Sequence, residues 1–320
     1  MTKARFARGS FILLALLALT PWASAPIALV AGIVFSLLVG NPFPAQAKQW
    51  ATYMLQLSVI SLGAAMNLGV VARIGATGVG QTLIALTSTL LLALLLSKLM
   101  KTERTTSMLI GVGTAICGGS AIAAVAPAIG AKSHQTSVSI AVVFLLNAVA
   151  LLVFPRVGIA LHMRPGAFGL WSALAIHDTS SVVGASMQFG EHALAVGTTV
   201  KLARALWIIP LTLVLSRVWT HETSARRGQK PKQPWFILGF VATAAFVTWV
   251  PGTQRAGTWL ATAGRHVLVA TLFLIGAGVS RDALKQVGAR PLLLGVLLWI
   301  AVASATLGAI LSGWLVVPAV

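Results

Sequence analysis

Groups able to do chemistry are scarce in this chain: of its 320 residues, 58% are hydrophobic, 9% are charged and five are acidic. They gather in a few short stretches. The first, ICGGSAIAAVAP (116–127), sets Gly118, Gly119 and Ser120 in an otherwise apolar run. In lipid every backbone N–H and C=O needs a partner, so a break is tolerated only where it is buried or lines a cavity. A helix that stops at Gly118-Gly119 restarts near Ser120 with free N–H groups and a partial positive charge, an end that attracts an anion. The plainer alternative is a seam of small residues at which helices pack closely.

The second stretch, AIHDTSSVVGASMQFG (175–190), places His177 and Asp178 before Thr179, Ser180 and Ser181. A carboxylate at mid-membrane costs roughly 2.5–3.5 kcal/mol even on a mild insertion scale, so it normally has a partner and a task. Asp178 can cap a following half-helix. It can also carry a proton or pair with a cation. In the third stretch, TTVKLARALWIIP (198–210), Lys201 and Arg204 are three residues apart and share a helix face. A pair of either with Asp178 leaves one positive charge over, which suits an anion site; the alternative is a purely structural ion-pair cluster. The binding residues expected on this reading are Gly118, Gly119, Ser120, His177, Asp178, Thr179, Ser180, Lys201 and Arg204. Arg265-His266 is expected at the outer start of a span, where arginine reaches the interface. Asn67 and Asn147 read as hydrogen-bond glue between helices.

Other chemistries fit poorly. The six histidines lack ligand spacing, so no metal site is expected. A Walker-type phosphate loop is absent, which argues against an ATP-driven pump. A hydrolase using Ser180 or Ser181 with His177 lacks a nucleophile elbow, and neighbouring helical residues point in different directions. No catalytic residue and no cofactor are assigned. Cys117 stands alone, so there is no internal disulfide framework.

The elements that must position these residues are membrane helices. Apolar segments fall at about 10–23, 25–40, 49–68, 78–97, 106–131, 136–155, 166–190, 192–216, 235–251, 266–280 and 291–316, about eleven in all. We expect an all-α integral membrane protein, with 1–320 forming one transmembrane transporter domain. The N-terminal Lys3, Arg5 and Arg8, an apolar run and Ala23-Ser24-Ala25 imitate a signal peptide; a retained first span is the preferred reading. The net charge of +18 sits mostly in short turns, so it reads as topology rather than nucleic-acid binding. With the N-terminus inside and every segment crossing, seventeen Lys and Arg lie inside and three outside. The loop at 221–234 is then cytoplasmic and the C-terminus outside.

Segments 106–131 and 166–190 admit a second arrangement, each a re-entrant hairpin of two half-helices of ~10–12 residues. The bias then becomes sixteen to four, so charge alone says that both cross or neither does. LGAAMNLGVVARIGA (62–76) and IGAGVSRDALKQVGA (275–289) align without gaps, matching Gly63 with Gly276, Ala64 with Ala277 and Gly75 with Gly288. They run in opposite directions through the membrane, the signature of inverted repeats in secondary transporters. Opposed repeats need hairpins entering from opposite sides, which favours the re-entrant form; both forms stay open.

The blocks SMLIGVGTAICGGSAIAAVAPAIGAK (107–132), IHDTSSVVGAS (176–186), VKLARALWIIP (200–210) and LIGAGVSRDALKQVGARPLLLGVLLW (274–299) resemble the YeiH family of candidate sulfate exporters, over nearly the whole chain. More distantly, the broken segments look like those of the bile-acid and arsenite transporter group. The resemblance implies an inner-membrane secondary transporter with inverted repeats and broken helices, exporting sulfate or another sulfur oxyanion by alternating access. It implies no enzyme. Expected partners are a small inorganic or organic anion and the lipid bilayer, with a proton or other cation as coupling ion and a homodimer as candidates; nucleic acid is not expected. An anion channel and a non-transporting membrane sensor are the competing readings.

Overall fold

The computed structural model describes residues 2–219, 235–279 and 288–317. The loop 221–234 and the part of the second repeat stretch at 280–287 lie outside the described residues. Fourteen helices occur among the described residues, which contain no strand. In chain order they are α1 (Thr2–Leu17), α2 (Ala25–Leu38), α3 (Pro44–Gly63), α4 (Leu68–Leu99), α5 (Arg104–Ala115), α6 (Gly119–Ala128) and α7 (Ser133–Ala160). Then come α8 (Pro165–Ala175), α9 (Thr179–Gln188), α10 (Glu191–Ala205), α11 (Ile208–Val218), α12 (Trp235–Trp249), α13 (Gln254–Gly276) and α14 (Ala289–Leu311). Each of the eleven expected segments overlaps a helix or a pair of helices. Five stretches among the described residues are long and apolar enough to cross a bilayer: Gly80–Leu99, Ser133–Ala160, Glu191–Val218, Gln254–Gly276 and Ala289–Leu311. The expectation of membrane helices therefore holds.

Two compact units interleave along the chain, one from Met1–Ala72 and Trp235–Leu284, the other from Arg73–Pro234 and Lys285–Val320. In the first unit, α3 and α13 lie antiparallel: Asn41 Nδ2 donates to Ala277 O at 2.9 Å, while a Cβ at Gly264 would meet the Ser61 side chain. Small residues permit this close approach. Gly63, at the end of α3, abuts the Phe240 carbonyl of α12; Gly276, at the end of α13, abuts the Leu29 carbonyl of α2. The next residues close their helices alike, Ala64 at φ −67°, ψ −13° and Ala277 at φ −66°, ψ −13°. α1 joins this unit through Phe11, whose ring meets those of Phe35, Phe43 and Phe273.

One expectation is corrected here. α13 starts at Gln254, twelve residues before the expected 266, so Arg265 and His266 lie within the helix rather than at its start. The polar residues between hide a buried stripe of Gly257, Ala261, Gly264 and Leu268 at helical spacing.

The second unit is organised around α7. Ala93 of α4, Ile110 of α5, Val142 and Leu146 of α7, and Leu294, Leu298 and Val302 of α14 form one apolar cluster. At the start of α7, Gln135 Nε2 donates to Glu103 Oε1, and Ser139 Oγ donates to Thr106 O at 3.3 Å. α5 thus begins beside the beginning of α7 and runs along it as far as Val143, which faces Gly113 and Gly118. α6 turns back, Ile122 packing on Gly113, and its end leads straight into Ser133. The pair α5–α6 therefore leaves from and returns to the same end of α7.

The pair α8–α9 does the same at the other end. Gly158, near the end of α7, faces both Phe168 and Phe189, whose rings stack at 3.9 Å. Gly166 at the start of α8 faces His192 at the start of α10. From there α10 and α11 lead back to the first end, where Arg104 lies 4.6 Å over the Trp219 ring. Pro210 explains why this span is divided into two helices: its ring excludes the carbonyl four residues earlier, that of Leu206. Locally the hydrogen bonds tighten to three-residue spacing, with Trp207 N donating to Arg204 O and Ile209 N to Leu206 O.

Candidate functional site

The two hairpin tips meet halfway along α7. The backbone N–H groups of His177 and Asp178 both donate to Asn147 Oδ1 at 3.1 Å, and Asn147 is the fifteenth of the 28 residues of α7. From the other hairpin, a Cβ at Gly118 would lie 3.5 Å from Asp178 Cα and 3.3 Å from Val143 Cγ1. Asn147 thus acts as interhelical glue, bridging the break between α8 and α9. Asn67 instead stays local, accepting from Gly69 N at 2.8 Å.

Each break follows from its residues. Gly118 has φ 65° and ψ −130°, a conformation that a side chain resists, and α6 starts at the next residue. At the second break, Ile176 is extended and Asp178 is the N-cap of α9. Its Oδ2 accepts from Ser180 N at 3.1 Å, Ser181 N at 3.4 Å and the Ser180 hydroxyl. The capping role considered for Asp178 is therefore present. α6 differs, since its N-cap is a glycine and makes no side-chain cap. The first N–H groups of a helix have no acceptor within it, and Ser120 is exposed. Thr179 and Ser180 are buried, whereas Gly119 and Asp178 are half-buried.

Lys201 and Arg204 project from α10 to the other ends of the broken helices. Arg204 Nη1 donates to Ala173 O at 2.7 Å and Leu174 O at 2.9 Å, while Nη2 donates to Ala115 O, the last residue of α5. Lys201 Nζ donates to Ile176 O at 2.7 Å and Ala173 O at 3.4 Å. Trp299 Nε1 of α14 takes Ala175 O at 3.2 Å. The carbonyls of 173–176 at the end of α8 are thus all met by side chains. Such carbonyls carry about half a negative charge per helix end. Two buried cations, 0% and 1% exposed, are held by two helix termini. Their hydrogen bonds run to carbonyl oxygens, and the Asp178 carboxylate is taken up by the start of α9.

The structure brings together Gly118, His177, Asp178, Lys201 and Arg204, with Gly119, Ser120, Thr179 and Ser180 on the adjoining first turns. His177 is buried, and its ring Nε2 has no hydrogen-bond partner among the described residues. Sequence reading missed Glu103, which takes Gln135 Nε2 and the Thr106 hydroxyl at the root of the first hairpin. Its position directly before α5 was the available signal. A cavity of about 300 Å³ lies in the first unit, among Ala64, Phe246, Val247, Gly257 and Leu260, and none of the expected binding residues line it. Among the described residues no group of His, Cys, Asp or Glu suits a metal ion.

The family model described as "Conserved hypothetical protein 698" matches residues 10–295. A UPF0324 membrane protein of Bdellovibrio bacteriovorus is 52% identical over 316 residues, covering 98% of this chain and 97% of that protein. Another, from Geobacter sulfurreducens, is 47% identical over 314 residues, covering 98% and 99%. A third, from Bacteroides thetaiotaomicron, is 44% identical over 288 residues, covering 89% and 86%. No solved structure matches this chain. With a family model spanning most of its length and relatives matched almost end to end, the chain belongs to the UPF0324 family of membrane proteins, the YeiH family that its sequence blocks resemble.

Proposed function

We propose that this protein is a secondary active transporter of the inner membrane that exports a small anion, sulfate or a related sulfur oxyanion, by alternating access. The observation that carries the reading is the meeting of two broken helices at mid-length of α7, with the start of α6 left uncapped. A half-helix N-terminus at mid-membrane is how such transporters hold anionic groups. The anion sits at Gly119 and Ser120, opposite Asp178, Thr179 and Ser180. Lys201 and Arg204 supply a positive field from behind, and His177 packs the break between α8 and α9.

We read two glycine contacts as a sign of opposed repeats: the α3–α12 contact at Gly63 has a counterpart in the α13–α2 contact at Gly276. The return of α5–α6 and α8–α9 to opposite ends of α7 favours two re-entrant hairpins entering from opposite sides. The membrane then holds nine crossings and two hairpins, eleven embedded segments, with the N-terminus and the 221–234 loop cytoplasmic and the C-terminus outside.

The test is uptake of labelled sulfate into proteoliposomes, with and without a pH gradient. Saturable, gradient-dependent uptake is expected. Flux far above carrier rates without coupling would make the protein a channel, and no flux for any sulfur oxyanion would leave a sensor.

A further inference from the structure

The two half-helix starts are asymmetric. α6 starts without a cap, yet the equivalent donors of α9 already hold an anion, the carboxylate of Asp178. That carboxylate is half-buried, and it sits against the other hairpin tip at Gly118. A second observation points to a ligand here. Asn147 Nδ2 is buried, its residue 4% exposed, and has no hydrogen-bond partner. Its own Oδ1 is fixed 3.1 Å from Asp178 N, so this spare donor is held at the break. A buried unpaired donor is costly and calls for an acceptor.

We propose that Asp178 is a tethered stand-in for the transported anion: it holds the Ser180 and Ser181 N–H groups, and releases them to an oxyanion when its carboxylate takes up a proton. The ligand class is a tetrahedral oxyanion, rich in acceptors. The step balances simply. One proton from water bonds to a carboxylate oxygen, two backbone N–H bonds to that oxygen open, and an oxygen of the anion accepts them together with Asn147 Nδ2. Binding therefore takes up one proton with each anion. Among the described residues, the other titratable or charged groups around Asp178 are Cys117 of the first hairpin, His177 of the same break and Lys201 of α10, with Arg204 beside Lys201. α7 contributes Asn147, which does not titrate.

This inference rests on the anion-site reading, and the experiment separates the two. Sulfate binding to the full-length protein in detergent is measured by calorimetry between about pH 8 and about pH 5. For wild type, affinity rises by up to about tenfold for each pH unit lost, because only the protonated fraction binds. Asp178→Asn, which carries no charge and stands in for the protonated carboxyl, binds tightly at every pH with no slope. A variant that keeps the wild-type slope overturns the stand-in role while leaving the anion site intact. Absence of sulfate binding to either protein at every pH overturns the site itself, and the stand-in with it. Should Asp178→Asn fail to fold, wild type alone decides in buffers of different ionisation enthalpy. About one proton taken up per sulfate supports the proposal, and none overturns it.

Discussion

The two broken helices do the same thing with different residues. α5–α6 breaks at a glycine with positive φ and restarts without a cap, its tip exposed at Ser120. α8–α9 breaks at an extended Ile176 and restarts under the carboxylate of Asp178, with Thr179, Ser180 and Ser181 buried behind it. At their other ends the two agree: Arg204 bridges the last carbonyl of α5 and those near the end of α8. The difference teaches which ends are scaffold. Carbonyl ends held by buried cations are fixed, whereas the N–H ends are where one helix is closed by its own side chain and the other stands open.

The largest expected effect is in the topology of the two hairpins, where the outcome is all or none. If the hairpins enter from opposite sides, Lys132→Cys reacts with an impermeant thiol reagent only from the cytoplasm and Arg164→Cys only from outside. The reverse pattern would mean that both segments cross the membrane. Next in size is Arg204→Leu, which strands carbonyls of two hairpins at once. A loss of about 3–5 kcal/mol is expected, read as a large fall in melting temperature or in folded yield. Arg204→Lys keeps the charge but cannot reach both hairpins with one planar fork, so it should recover only part of that stability. The smallest effects compare the breaks themselves. Gly118→Ala forces a Cβ into a strained conformation and should cost about 1–3 kcal/mol. Asp178→Ala removes one cap and should cost about 1 kcal/mol. Melting curves of the two variants check this order, and Asp178→Ala proving the more damaging would reverse it.

Much of the site was legible because helix breaks obey local rules. Two glycines in succession, or an aspartate ahead of Thr-Ser-Ser, stop and restart a helix wherever they lie. The spacing of Lys201 and Arg204 likewise put them on one face without reference to any other element. Their targets were not legible. Nothing local links Arg204 to Ala115, 89 positions earlier in the chain. The early start of α13 was hidden because Arg255 and Arg265 lower its average hydropathy, although its buried stripe is intact.

The amino-acid sequence alone determined that this is a helical membrane protein, where most of its segments lie, that two of them break at a glycine pair and at an aspartate, and which polar residues are too costly in lipid to be incidental. Composition and periodicity act residue by residue, so they survive without a third dimension. Only the tertiary structure decided that each broken segment returns to the end of α7 from which it came, that the tips meet at Asn147, and that the two cations serve carbonyls. Those outcomes depend on which distant helix ends come together, and a buried charge accepts whichever opposite dipole the packing brings within reach.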